Sequence, residues 1–100
     1  MIYSIPILKR VIVFGSSGFI GSALSRYLPK MQGVDVLGYS SSDCDLLDHQ
    51  NVANALEICD GQTSLIVCSA ISPRREDSWP AMVRNIEMVH NICELCLIHI

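Results

Sequence analysis

A short run of evenly spaced glycines constrains the fold of this chain more than any other feature of its sequence. Gly15, Gly18 and Gly21 begin directly after the β-branched and aromatic run Val11–Phe14, and a stretch with helical apolar spacing follows them. Glycine tolerates backbone angles that other residues avoid, so the pattern predicts a tight turn from a strand into a helix. The N-terminus of such a helix offers free N–H groups and a partial positive charge, which favour a phosphate group.

The context of this turn predicts nucleotide binding. Its spacing is G-x-x-G-x-x-G, which differs from the dinucleotide fingerprint G-x-G-x-x-G. Because Gly18 has no side chain, it would let a pyrophosphate approach the backbone. Gly21 would let the helix pack close to the sheet. The alternative is a tight connection between strand and helix that holds no ligand.

Strand and helix patterns alternate along the rest of the chain. Asp48 and Ser78 are the predicted N-caps of the second and third helices. Predicted strands cover 9–14, 34–39 and 64–71, with a brief strand or turn at 45–47, and predicted helices cover 19–28, 49–58 and 79–100. This order predicts an α/β, Rossmann-like, doubly wound parallel sheet of about four strands in the order 3-2-1-4. The last helix has a continuous series of apolar positions, of which Met82 is expected to pack and Cys93 and Cys96 are expected to face the core: Met82, Val83, Ile86, Val89, Ile92, Cys93 and Cys96.

Composition excludes several classes of protein. The chain has 100 residues, 7 Lys+Arg against 10 Asp+Glu, and 50% apolar residues. These values argue against a disordered tail and against a nucleic-acid binder, which would need a basic surplus. No apolar run is long enough to span a membrane, and the N-terminus does not resemble a secretory signal. The five cysteines, an odd number, suggest reduced thiols and a cytoplasmic location.

Four segments in order carry a resemblance to a known family. They are Gly15–Leu24, Cys44–Val52, Leu65–Ala70 and, in the last helix, Asn85. Together they resemble the extended short-chain dehydrogenase/reductases, the NAD(P)-dependent epimerase/dehydratase family, and within it the sugar-nucleotide reductases. The resemblance implies that residues 1–100 form the NAD(P)-binding, Rossmann-like N-terminal domain of such a protein, truncated before its catalytic region.

The same resemblance implies a set of residues that contact the cofactor. Asp45 would accept a hydrogen bond from the adenine amino group, with Leu46 beside the ring, although Asp45 can also be read as a turn or capping residue. Asn85 would brace the fourth and fifth strands of a complete member of the family. The alternative is that Asn85 is an ordinary exposed helix residue. The pyrophosphate would lie on Gly15, Ser17, Gly18, Phe19, Ile20 and Gly21, and the ribose and nicotinamide beside Ser69, Ala70 and Ile71.

The choice between NAD and NADP stays open at this stage. NAD-preferring members place an acid at the end of the second strand, where this chain has Ser40. A serine neither makes the acid's contact with the ribose nor repels a 2′-phosphate, so NADP is permitted. No arginine follows Ser40 directly, and Arg74 or Arg75 would have to reach in from another loop.

No catalytic residue and no metal site can be assigned. The family's chemistry uses a tyrosine followed four residues later by a lysine, and none of the three tyrosines here has such a partner. The evenly spaced His90, Cys93, Cys96 and His99 cannot share one zinc ion, because they spread over about 180° of a helix.

The sequence therefore predicts the NAD(P)-binding portion of a reductase or epimerase that acts on a nucleotide-sugar or a similar substrate. One alternative is a non-catalytic module that senses NAD(P)H or binds a partner protein. Another is an inert remnant whose exposed fourth strand drives self-association, which leaves a homodimer open.

Overall fold

In the part of the chain that the structure describes, three strands alternate with three helices. A computed structural model describes residues 9–31, 33–71 and 74–98, with side chains through residue 96. The elements are β1 (Arg10–Phe14), α1 (Phe19–Tyr27), β2 (Asp35–Tyr39), α2 (His49–Leu56), β3 (Thr63–Val67) and α3 (Trp79–Ile98), with a 3-10 turn at Leu28–Lys30. The last two residues of the predicted third helix, 99 and 100, lie outside the described residues.

The strands form one parallel sheet in the order β2-β1-β3. Ile12 in the central strand lies beside Leu37 of β2 and Leu65 of β3. This confirms the predicted α/β class with a parallel sheet. The expected count of about four strands is wrong for the described part of the chain. Residues 45–47 form a turn, in which the backbone N–H of Leu47 donates to the Asp45 carboxylate at 3.0 Å, so the order is 2-1-3.

The central strand is buried on both faces of the sheet. Ile12 and Phe14 belong to the main core, together with side chains from α2 and α3. Val11 and Val13 are equally buried and alternate to the opposite face, on which α1 contacts β1 and β2. Helices therefore cover both faces of β1, which explains why its sequence is continuously apolar.

Both predicted helix caps are confirmed. The Asp48 carboxylate accepts from the backbone N–H groups of Gln50 and Asn51 at 2.9 and 3.2 Å, and the Ser78 hydroxyl accepts from that of Ala81 at 3.2 Å. Most element bounds lie within one residue of the prediction, and two C-terminal ends differ by more. β3 ends at Val67, because residues 68–71 leave the sheet at its carboxyl edge, and α2 ends at Leu56, before the predicted 58.

Two of the α3 side chains predicted to pack in the core, Met82 and Cys93, are exposed, whereas the third, Cys96, is half-buried. Ala81, Ile92 and Leu95 are the buried positions of this helix, whereas Ile86 is 61% exposed. Val83 and Val89, which belong to the same apolar pattern, are exposed as well. The reason is that α3 packs on α2 and the core along one narrow stripe, and no other described element covers its opposite face. In the segments that the structure describes, no helix has both the length and the apolarity needed to cross a membrane.

Candidate functional site

The glycine turn lies at the carboxyl edge of the sheet, between the ends of β2 and β3. Gly15 follows β1 with a φ of 88°, a conformation that side chains disfavour. The backbone N–H groups of Gly15 and Ser16 donate to the carbonyl of Tyr39 at 2.8 and 3.2 Å. A Cβ at Gly15 would lie 2.9 Å from both the backbone nitrogen and the hydroxyl of Ser69. The turn is therefore held against both neighbouring strand ends.

Gly21 lets the first helix pack against this turn. It is the buried residue of α1, and a Cβ built on it would overlap the carbonyl oxygen of Gly15 and lie 2.7 Å from that residue's carbonyl carbon. These are backbone atoms that cannot rotate away. The close approach predicted for Gly21 is thus seen, with the turn itself as the contacting surface.

Gly18 differs from the other two glycines because neither conformation nor packing requires it. Its backbone is extended, with φ −76° and ψ 175°, and a Cβ there would meet only the carbonyl oxygen of Gly15 at 3.5 Å, an ordinary contact. Gly18 is the N-cap of α1, and no side chain caps this helix. Open space therefore lies in front of the first N–H groups of α1, whose partial positive charge suits an anionic group.

The remaining residues of the predicted phosphate-binding segment surround this opening. Ser17 and Ile20 are exposed, and Phe19 is 94% exposed. The apolar side chains of the first turn of α1 therefore do not join the core. Their backbone N–H groups are the part of these residues that faces the space in front of the helix.

An acidic side chain occupies the end of β2. The backbone N–H and the hydroxyl of Ser40 both donate to the Asp43 carboxylate at 2.9 Å. These two hydrogen bonds, the backbone one first, lower the pKa of Asp43 from its ordinary value. The ring of Tyr39 stacks on that of Phe14 with 5.7 Å between centroids, which holds the strand end in place. Ser40 thus presents a carboxylate at this edge although it is itself neutral.

Asp45 and Leu46 follow in a turn that packs on the core. One oxygen of the Asp45 carboxylate accepts from the backbone N–H of Leu47, which is the turn role considered for this residue. The Leu46 side chain is 4% exposed and belongs to the core, so its neighbour Leu47 is the more exposed of the two leucines. The buried Cys44 thiol has a raised pKa, first because of burial and then because of the carboxylates of Asp45, Asp48 and Asp43.

Asn85 holds the segment that leaves β3. Its side-chain carbonyl accepts from the backbone N–H of Ile71 at 2.7 Å, and its amide donates to the Ile71 carbonyl at 3.0 Å. Ile71 and Asn85 line a cleft of about 510 Å³ together with Trp79 and other residues at the start of α3. Asn85 is therefore a positioning residue for the chain that follows β3, rather than an ordinary surface residue.

The fold brings most of the predicted site residues to one edge of the sheet. Those that meet there are Gly15, Ser17, Gly18, Phe19, Ile20, Gly21, Ser40, Ser69, Ala70 and Ile71. Asp45 and Leu46 lie after β2 on the same side, with the Leu46 side chain directed into the core.

Sequence reasoning missed Asp43 and Gly38 as parts of this edge. A Cβ at Gly38 would lie 2.8 Å from the Cβ of Ser16, so this glycine allows β2 to approach the turn closely. A glycine inside a strand pattern is a recognised signal for such an approach. The signal for Asp43 was weaker, namely an acid three residues after a serine at the end of a strand.

The described tyrosines do not form a catalytic pair at this edge. Lys30 lies over the ring of Tyr27, 4.9 Å from its centroid, at the opposite end of α1 from the turn. Tyr39 is stacked on Phe14.

The chain matches a known family in sequence and several solved proteins in structure. A family model described as the NAD dependent epimerase/dehydratase family matches residues 11–99. No curated protein sequence matches the chain. A GDP-L-fucose synthetase from Naegleria fowleri has a similar structure, with 23% identity and a TM-score of 0.74 over 92% of this chain and 29% of that one. A dTDP-4-dehydrorhamnose reductase from Bacillus anthracis, solved in complex with NADP, has 21% identity and a TM-score of 0.71 over 89% of this chain and 32% of that one. The chain spans about a third of the length of these two proteins.

Proposed function

We propose that this chain, which belongs to the NAD-dependent epimerase/dehydratase family, binds the pyrophosphate of a nicotinamide dinucleotide at its glycine turn. Gly18 carries the proposal. It is the glycine for which neither backbone angle nor packing supplies a reason, and it faces the uncapped N-terminus of α1. A diphosphate in that space would accept hydrogen bonds from the free N–H groups and gain from the helix dipole.

The rest of the cofactor would extend to both sides of the turn. We place the adenosine half towards the end of β2, near Ser40 and Asp45, and the ribose and nicotinamide half near Ser69, Ala70 and Ile71. Parallel strands present their carboxyl ends at one edge, and ligands of such sheets bind in the crevice there. The hydrogen bonds from Asn85 would keep Ile71 in position beside the bound ring.

The reaction served by this site is proposed to be hydride transfer on a sugar-nucleotide or a similar carbonyl compound. A bound nicotinamide supplies the hydride chemistry. In this proposal the chain binds and orients the cofactor through its glycine turn. Its sequence contains no tyrosine followed four residues later by lysine. We therefore place the catalytic acid and base outside these 100 residues. The support for this substrate class is the similarity to two sugar-nucleotide enzymes, each matched over about a third of its length.

The Gly18→Val substitution tests the proposed function. Valine adopts the extended backbone of Gly18, and its side chain would fill the space in front of α1. Valine is a poorer N-cap than glycine and lowers the free energy of unfolding by about 1 kcal/mol. Circular dichroism is therefore needed to establish that the variant is folded. We expect calorimetric titration to show NADH or NADPH binding to the original chain and none to the variant.

Gly61→Val is the matched control. A Cβ at Gly61 meets nothing within 4 Å, and this residue precedes β3 at the opposite edge of the sheet. The control should bind the dinucleotide like the original chain. Retained binding in a folded Gly18→Val variant, or no binding of either dinucleotide to the original chain, would contradict the proposed function.

A further inference from the structure

A polar side chain interrupts the buried stripe of α3. Ile92 and Leu95 are buried in the core, and Met88 packs against it. Asn91 lies three residues after Met88 and four before Leu95, so it shares their face of the helix. It is half-buried, and its side-chain amide donates to the backbone carbonyl of Leu46 at 2.8 Å, across 45 residues of sequence. This amide therefore ties α3 to the turn that follows β2.

The carbonyl that Asn91 holds belongs to the same peptide group as the backbone N–H of Leu47. That N–H donates to one oxygen of the Asp45 carboxylate at 3.0 Å. Because a peptide group is planar and trans, its carbonyl and its N–H point in opposite directions and turn together. Hydrogen bonds in such a series also polarise and strengthen one another. The amide of Asn91 on one side and the carboxylate of Asp45 on the other therefore share one peptide plane, and the orientation of each depends on the other.

Few other contacts hold this turn. The backbone N–H of Asp45 lies 3.4 Å from the side-chain oxygen of Asn51, which is long for a hydrogen bond. The backbone N–H of Asp48 donates to the carbonyl of Asp45 at 3.0 Å. Neither of these contacts involves the peptide group that follows Leu46. Within the described residues, Asn91 supplies the one side-chain hydrogen bond that reaches this peptide group from outside the turn.

Loss of the Asn91 amide would leave the carbonyl of Leu46 without its partner. A carbonyl that is shielded from water and unpaired costs free energy, so the backbone gains by rotating it towards solvent. The same rotation carries the Leu47 N–H away from the Asp45 carboxylate. Asp45 is exposed, and its side chain would then be free to adopt other rotamers. The effect of Asn91 on Asp45 is therefore one of direction and leaves its charge unchanged.

We infer that Asn91 is a positioning residue for recognition of the adenine base. The inference rests on the proposed function, which places the adenosine half near Asp45. The second oxygen of the Asp45 carboxylate has no hydrogen bond to any described residue, so it can accept from the amino group of adenine. Asn91 acts through the intervening peptide group and holds that oxygen in one direction.

With this assignment, α3 supports both halves of the site. Asn85 holds the backbone of Ile71 after β3, and Asn91 holds the backbone of Leu46 after β2. The two asparagines are about 9 Å apart along the axis of one continuous helix. A single rigid element therefore sets the spacing between the loops at which we place the nicotinamide and the adenine.

The test compares ADP with purine riboside 5′-diphosphate, which lacks only the amino group of the base. We expect calorimetric titration of the original chain to show a Kd for ADP lower by about tenfold, the effect of one hydrogen bond to a charged group. Asn91→Leu keeps a side chain of similar size without the amide, and it should reduce the preference to within about threefold. Asn91→Ala, a better helix former, should give the same result. Circular dichroism establishes that both variants are folded.

Thr63→Val is the matched control. The hydroxyl of Thr63 donates to the Asp60 carboxylate at 3.0 Å and so supports another aspartate turn, at the opposite edge of the sheet. Valine has a similar shape but makes no hydrogen bond. This variant should keep the full preference for ADP.

A double variant distinguishes positioning from a general structural role. Asp45→Ala should lose the preference for ADP by itself. Because Asn91 acts through Asp45, adding Asn91→Leu to Asp45→Ala should leave the ratio of the two Kd values unchanged. A merely structural role of Asn91 predicts instead that the affinities for both nucleotides fall by the same factor in Asn91→Leu, so that the original preference persists.

The outcomes separate this inference from the proposed function. An unchanged preference in the folded Asn91 variants, or equal affinity of the original chain for the two nucleotides, overturns the role of Asn91 and leaves the pyrophosphate site at Gly18 intact. Absence of binding by ADP and by both dinucleotides overturns the proposed function and this inference together. A preference for ADP that falls in both Asn91 variants and persists in Thr63→Val supports both.

Discussion

At the scale of single residues, the three glycines of the turn do different things. Gly15 provides a backbone angle that other residues avoid, and Gly21 leaves room for the carbonyl of Gly15. Gly18 does neither and leaves space in front of the helix. Substitutions at these positions should therefore separate into those that damage the fold and those that affect binding alone.

Gly21→Ala should destabilise the fold. The added methyl group would overlap the carbonyl of Gly15, and such overpacking costs about 1–3 kcal/mol. Alanine is a better helix former than glycine by about 1 kcal/mol, so a net loss has to come from the overlap. Urea denaturation should show a lower free energy of unfolding. Gly61→Ala, which meets open space, should change it by less than about 0.5 kcal/mol. Equal stability of the two variants would contradict the packing described for Gly21.

At the scale of elements, α2 depends on its first residues and on one buried face. It has eight residues, fewer than an isolated helix needs to be stable in water. Its stability comes from the Asp48 cap and from Val52, Ala55 and Leu56, which pack in the core with Ile12 of β1. The cap also follows directly on the turn that contains Asp45. Loss of the cap should therefore weaken α2 first.

Asp48→Ala should lower the free energy of unfolding by about 1 kcal/mol, because two backbone N–H groups lose their acceptor. Asp48→Asn removes the same charge but keeps an oxygen at the cap, so it should lie close to the original chain. Thermal denaturation followed by circular dichroism distinguishes the two. If Asn is as destabilising as Ala, charge rather than capping explains the effect.

At the scale of the whole molecule, α3 leaves a large apolar face uncovered. The described residues measure 51 × 29 × 26 Å with a radius of gyration of 14.7 Å, compared with about 13 Å for a compact domain of this size. The exposed apolar side chains on α3 are Trp79, Met82, Val83, Ile86 and Val89. Contiguous apolar surface of this kind promotes association. We therefore expect the chain, studied alone, to associate with further copies of itself.

Ile86→Gln tests this expectation. Ile86 is 61% exposed near the middle of the apolar face, so glutamine should reduce association without loss of core packing. Glu87→Gln introduces the same residue at the next exposed position and should leave association unchanged. Sedimentation velocity at several concentrations measures the effect. A monomeric original chain, or equal behaviour of the two variants, would contradict the expectation.

The sequence by itself determined the fold class, the position of the turn and the helix caps. These depend on local features: the apolar run of β1 predicts a strand covered on both faces, and Asp48 and Ser78 are caps because their oxygens reach N–H groups within three residues. The periodic pattern of α3 predicted a helix correctly but not its buried face. Periodicity shows that a face is apolar, whereas the neighbouring elements decide whether it is covered.

Only the tertiary structure decided which residues meet at the carboxyl edge and what each contributes. Gly18 and Gly21 are alike in the sequence, and the position of the Gly15 carbonyl is what distinguishes packing from open space. Ser40 and Asp43 are three residues apart, and the loop that joins them through hydrogen bonds places a carboxylate where the sequence shows a neutral serine. Charge and free volume at a site depend on distances between segments far apart in the chain, and a one-dimensional pattern does not contain those distances.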